Sequence, residues 1–157
     1  MKKLIILQGI PGSGKSTIAR SWQAENQGGR VIVSKDALRL GRGVYWVSGQ
    51  EDYIKKVELY AITSALDYGY DVMVDGTNFS YDNIDYYLSG ARGKYTEVET
   101  WLIHASERDC IKRDQNKGRD HSVGPVVVKN FYKKYLTWCE DHSIEPATTG
   151  IIKTKIS

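Results

Sequence analysis

Apolar positions along this chain follow two patterns that take turns. Short unbroken runs occur at residues 3–7 (KLIIL), 31–33 (VIV) and 72–74 (VMV), while residues 97–105 (EVETWLIHA) alternate before turning apolar. Such runs predict strands, and the unbroken ones predict strands buried on both faces. Between them apolar residues recur every three or four positions: Ile18, Ala19 and Trp22 within 16–25, and Ile54, Val57, Ala61 and Ala65 within 51–68, where Gly69 stops the pattern. That period predicts helices. Further helices are expected over 80–88, with Ser80 as N-cap, over 106–115, and from Pro125 to about residue 138. Residues 150–156 (GIIKTKI) read as a last strand. Strands alternating with helices predict an α/β fold: a mostly parallel sheet of about five strands covered on both faces. No linker or composition break interrupts the pattern, so residues 1–157 are expected to form one domain.

The first strand runs directly into Gly9-Ile10-Pro11-Gly12-Ser13-Gly14-Lys15-Ser16, which fits G-x-x-x-x-G-K-[ST] with a strand before it and a helix after it. Glycines let the backbone turn with its N–H groups inward, and the helix N-terminus favours anions. Gly9, Pro11, Gly12, Ser13, Gly14, Lys15, Ser16 and Thr17 are therefore assigned to a nucleoside triphosphate, ATP with Mg²⁺. Lys15 should reach the β- and γ-phosphates, and the Ser16 hydroxyl should ligate the metal. The fold expectation narrows to a three-layer sandwich of the P-loop NTPase type with a helical lid. Asp75 ends the strand 72–74, where ligands collect in open parallel sheets; it is the second metal candidate, with a plain turn as its alternative. The stretch VDGT also suggests a phosphatase motif D-x-D-G-T, but Met73 stands where the nucleophile would be.

The strand 31–33 runs straight into Ser34, Lys35 and Asp36, with Arg39 one helical turn later. One reading is a helix cap with a surface ion pair. The other is an acceptor site: Asp36 as the base that takes a hydroxyl proton, Arg39 as the guanidinium that binds a phosphate or carboxylate. Residues 108–134 hold eight basic residues against three acids, and NKGRDHSVGP (116–125) interrupts them with two glycines and a proline. A mobile lid at about 113–124 would bring Arg113, Lys117 and Arg119 to the triphosphate; the alternative is an ordinary exposed loop. In the insert 41–50, Tyr45 and Trp46 beside Arg42 could stack on a base or simply dock on the domain.

Charge and cysteines add bounds. A formal charge of +3 is too small to diagnose nucleic-acid binding, and the chain holds Cys110 and Cys139 without metal-like spacing, which reads as reduced thiols in a cytoplasm. The opening MKKLIILQG is too short for a signal peptide, and no apolar stretch approaches a membrane span. His104, His121 and His142 are scattered and receive no role.

Taken in order, GIPGSGKST, SKDALR after the second strand, VDGTN after the third, and RDCIKRDQNKGR…VGPVVVKNFYKKY resemble the polynucleotide 5′-hydroxyl kinases, as in the kinase half of bacteriophage end-healing enzymes. The resemblance covers about residues 2–136. It implies ATP and Mg²⁺ on Lys15 and Ser16, Asp36 as general base on the 5′-hydroxyl of DNA or RNA, and Arg39 on the phosphate 3′ to it. Arg113 would contact the donor phosphates. The family tends to carry a second lid arginine where this chain has Lys117, which lacks the bidentate fork; Arg119 is the candidate substitute. The phage relatives' phosphatase domain has no counterpart here, so no 3′-end activity is expected, and a host cytoplasm is one setting the resemblance suggests. Two other readings use the same loop: a kinase of a small-molecule hydroxyl or modified DNA base, and a non-catalytic nucleotide-binding module. A guanine-reading N-K-x-D motif is not matched, since NKGRD has one residue too many.

Overall fold

A computed structural model describes residues 2–116 and 122–156. The chain runs β1 (Lys3–Gln8), α1 (Lys15–Ala24), β2 (Arg30–Ser34), α2 (Lys35–Leu40), α3 (Glu51–Asp67), β3 (Asp71–Asp75), α4 (Tyr81–Gly90), β4 (Glu97–Ile103), α5 (Glu107–Gln115), α6 (Pro125–Asp141) and β5 (Ile151–Ile156). Sheet order is β2-β3-β1-β4-β5. The first four strands are parallel and β5 pairs antiparallel with β4 at the edge. This is the α/β, mostly parallel five-stranded sheet that the apolar pattern predicts.

Alternation along the central strands divides the core. Leu4, Ile6, Val72 and Val74 face one side with Ile62 and Leu66 of α3, Ile84 and Tyr87 of α4, and Val128 and Tyr135 of α6. Ile5, Leu7 and Met73 face the other, where Ala19 and Trp22 of α1 cover them with Trp101 and Ile103. Leu4 to Leu7 are fully buried, each contributing roughly 1.5–3 kcal/mol of transfer free energy. The unbroken run is thus the signature of a central parallel strand.

Parallel register brings the carboxyl ends of three strands to one edge. Ser34 pairs with Asp75 and Ile6 with Val74, so the loops after β1, β2 and β3 emerge side by side. Asn78 ties the ends of β1 and β3 together from a left-handed backbone conformation (φ 52°). Its Nδ2 donates to the carbonyls of Leu7 (2.7 Å) and Val74 (3.3 Å), and its carbonyl accepts from Gln8 Nε2 at 3.0 Å. Gly12 (φ 84°) is needed twice over: a Cβ there would also lie 2.3 Å from the carbonyl oxygen of Cys110 in α5.

Candidate active site at the carboxyl ends of the strands

The loop between β1 and α1 wraps the N-terminus of α1, with Gly14 at the cap position and φ 89°. Ser16 Oγ donates to Asp75 Oδ2 at 3.1 Å, while Asp75 Oδ1 is buried without a hydrogen-bond partner. Burial pushes the Asp75 carboxyl up, against the Lys15 charge and the Ser16 hydrogen bond, which pull it down. A hydroxyl beside a carboxylate with an unused oxygen is a donor set that suits a hard divalent cation. Lys15 is buried within the loop.

Ser34, the last residue of β2, caps α2: its Oγ accepts from the Ala37 N–H at 3.3 Å. Asp36 is therefore not the cap, and its carboxylate is engaged elsewhere. Asp36 Oδ1 accepts from Arg39 Nη1 at 3.0 Å and from the Tyr45 hydroxyl at 2.8 Å. Arg39 donates from Nε to both oxygens of Glu51 at 3.1 Å and from Nη2 to Glu51 Oε1, and its guanidinium lies 5.3 Å from the Tyr45 ring. Burial alone would lower the Arg39 pKa, yet Glu51, Tyr45 and Asp36 together hold it above its usual range. Burial and the negative charge of Asp36 push the Tyr45 phenol up to about 12. Tyr45 is thus docked on the domain, whereas its neighbour Trp46 is 61% exposed.

These groups share one cleft of ≈ 290 Å³, lined by Lys15, Asp36, Arg39, Tyr45 and Asp75. Lys35, Glu58, Asn78 and Asn83 add polar surface, and Phe79, Val123, Phe131 and Lys134 form its far wall. A second opening, on the α1–α2 side, is lined by Ser16, Arg20, Asp36 and Asp75, so both carboxylates stand between two mouths. Arg113 lies at the other side of the phosphate loop, its Nη1 donating to the Gly12 carbonyl at 3.3 Å. Lys117 and Arg119 fall outside the described residues. The two ends of that segment are tied by buried Asp114, which accepts from Ser122 Oγ (3.0 Å), Val123 N (3.0 Å) and Gly124 N (2.9 Å).

The structure brings Lys15, Ser16, Asp36, Arg39 and Asp75 together around one cleft, and adds Tyr45 as a partner, Glu51, Glu58 and Asp114, which sequence reading did not single out. Glu51 could have been flagged as a first-turn acid of α3; which cation it would meet depended on the path of residues 41–50, which carry no periodic signal.

A phosphate loop leading into a helix, an acid at the end of the neighbouring strand and this sheet order define a P-loop kinase. The chain belongs to the AAA domain family, whose model matches residues 4–140. It is 30% identical over 137 residues to the L-seryl-tRNA(Sec) kinase of Methanococcus maripaludis, covering 85% of this chain and 52% of that protein. It is 27% identical over 146 residues to a protein of Autographa californica nuclear polyhedrosis virus named as a bifunctional polynucleotide kinase/RNA ligase, covering 86% of this chain and 21% of that one. Thus the chain spans about half the length of the first relative and about a fifth of the second. Among solved structures, a chain of the Pnkp1/Rnl/Hen1 RNA repair complex shares the fold with a TM-score of 0.77 at 22% identity, over 95% of this chain and 49% of that one. The likeness to polynucleotide kinases holds on these findings. The fold is also shared with a gluconokinase from Sinorhizobium meliloti, at TM-score 0.55 and 19% identity over 84% of this chain and 74% of that one. No helix among the described residues is long and apolar enough to cross a membrane.

Proposed function

We propose that this domain transfers the γ-phosphate of ATP to the 5′-hydroxyl end of a DNA or RNA strand. The observation that carries the reading is the cleft itself: Asp36 and Arg39 open into the same space as Lys15 and the Ser16–Asp75 pair. A base and an anion-binding guanidinium set beside a triphosphate cradle match an acceptor with a hydroxyl and a phosphate close together. The viral relative's name supports it; the archaeal one's name points instead to an acceptor carried on a tRNA, which the test below separates.

In this reading Lys15 neutralises the β- and γ-phosphates, and Ser16 with Asp75 would hold Mg²⁺, which when bound offsets charge on the transferring group. Asp36 takes the proton of the 5′-hydroxyl as its oxygen bonds to the γ-phosphorus; the bond from that phosphorus to the ADP oxygen breaks, and ADP leaves. Both protein donors to Asp36 converge on Oδ1. A phosphate 3′ to the hydroxyl would take the Nη1 edge of Arg39 from Asp36, freeing the base as the acceptor binds. Glu51 keeps the guanidinium in place during that exchange. Arg113, with Lys117 and Arg119, would add positive charge from the lid side.

The test is transfer of label from γ-labelled ATP with Mg²⁺ to 5′-hydroxyl DNA and RNA oligonucleotides, with 5′-phosphorylated copies as blocked controls. Label should appear on hydroxyl ends alone and be lost in Asp36→Ala with ATP binding retained. ATP binding without label on any oligonucleotide would reject this reading. Label on gluconate, free nucleosides or seryl-tRNA instead would select the small-molecule or aminoacyl acceptor.

A further inference from the structure

Beyond the cleft lies a surface that phosphoryl transfer does not use. A groove of ≈ 210 Å³ between α4 and α6 is lined by Phe79, Tyr81, Lys133, Lys134, Trp138 and Asp141. Phe79 and Lys134 also line the active-site cleft, so the two spaces adjoin. Two of the rings lining the groove are stacked in near-parallel planes, Tyr81 on Trp138 (4.8 Å, 24°), and Trp138 stacks in turn on His142 outside the lining (4.1 Å, 19°). Trp138 is 7% exposed and Tyr81 49%, so the stack ends at the surface. Lys129 stands one turn before Lys133 on α6, all three lysines of this helix are exposed, and Asp141, which lines the groove with Lys133 and Lys134, accepts from the Tyr81 hydroxyl at 3.2 Å.

Resting on the polynucleotide reading above, we propose that this groove is the exit path of the acceptor strand. The single strand leaves the cleft over Phe79 and Lys134, places a following base on the exposed Tyr81 ring that Trp138 backs, and sets its phosphates against Lys134 and Lys133. Stacking platforms beside a cationic rail are what a single strand of any sequence requires, since every base has a π-face. The alternative way out, on the α1–α2 side, offers Arg20 but also Asp36 and Asp75, with Ala19, Ile32, Ala37 and Leu40 between. Asp36 and Asp75 face both mouths, so it is the single cation and the apolar wall that disfavour a phosphate backbone there.

Steady-state kinetics with two acceptors read this path directly: a nucleoside 3′-monophosphate, which ends inside the cleft, and a 5′-hydroxyl single-stranded octamer, which reaches the groove. Tyr81→Leu keeps apolar cover on Trp138 and removes the ring; Lys133→Gln removes one exposed charge. Tyr81→Leu should lower kcat/KM for the octamer about tenfold, in the range stacking contacts give, Lys133→Gln should lower it about threefold, as for one exposed ion pair, and both should leave the mononucleotide unchanged. In Lys133→Gln the dependence of log KM on log salt for the octamer should also flatten by about 0.7, the share of one phosphate contact on a single strand. Equal effects on both acceptors, or no effect on either, overturn the path while leaving the kinase reading intact. A wild-type protein that phosphorylates neither acceptor overturns the kinase reading and the path with it.

Discussion

At the scale of single residues the informative one is Tyr45, which holds Asp36 from the insert rather than from the helix that carries it. A phenol pushed up to about 12 stays protonated through the working range of a kinase, so it remains a hydrogen-bond donor to the carboxylate. It therefore orients Asp36, whose side chain is 55% exposed and whose Oδ1 takes both the Tyr45 and the Arg39 hydrogen bonds. Tyr45→Phe is expected to reduce kcat for the acceptor about fivefold, in line with roughly 1 kcal/mol for a hydrogen bond to a charged group that water partly replaces. The KM for ATP should not move. Glu51→Ala leaves Arg39 unanchored; the KM for a 3′-phosphate-bearing acceptor should rise about tenfold, with a smaller change for a nucleoside lacking that phosphate, as expected for a charge-assisted, bidentate pair. Kinetics on the two acceptors separates these variants, since under the proposed function Tyr45 would act through the base and Glu51 through the anion site.

At the scale of elements, α5 and α6 are joined through one side chain. Asp114, buried in the last turn of α5, accepts two backbone N–H groups and a hydroxyl at the start of α6. Asp114→Ala would strand the Val123 and Gly124 N–H groups, and the unfolding free energy should fall by about 2–3 kcal/mol, read as a lower urea midpoint at unchanged slope. Lys112→Ala, on the exposed side of the same helix, should leave the midpoint within about 0.5 kcal/mol of wild type. Such a clamp shows where sequence reading stops. The helices and strands were legible because each repeats its period over several residues: α3 and α6 keep a 3.6 spacing, and β1 and β3 are unbroken apolar runs. Ser80 and Ser106 were legible as helix starts for the same local reason, a hydroxyl three residues ahead of the N–H it caps. By contrast, α2 is six residues long, too short to show a period, and the antiparallel pairing of β5 depends on where residues 142–150 travel. Asp114, Tyr45 and Glu51 were illegible because their partners are fixed by loops. Lys15, Ser16 and Asp36 were legible as candidates because phosphate chemistry demands set residue types at set distances from strand ends.

At the scale of the whole molecule, the sheet packs apolar faces against its helices with a carboxyl enclosed between them. Glu58, on α3, is buried to 1% exposure, with Lys35 Nζ 3.8 Å away and Tyr87 facing it. Burial raises its pKa above 4.5, and the opposing pull of Lys35 and Tyr87 does not cancel the rise. The native state therefore holds a proton that the unfolded chain has already released. Between the unfolded value and the raised native one, the folded protein binds more protons than the unfolded chain, so stability falls as pH climbs through that interval. The loss is absent below pH 4.5 and complete once pH exceeds the native value. Glu58→Gln keeps the shape and removes the titration. Its urea midpoint should fall less than that of wild type as pH is raised from 4.5 to 8, with both proteins sharing whatever the remaining carboxylates contribute. A wild-type curve that runs parallel to the Gln curve over that range would mean the Lys35 ion pair compensates the burial of Glu58 in full. The acceptor side of the cleft would then be floored by a stable charge pair rather than by a carboxyl that prefers its proton.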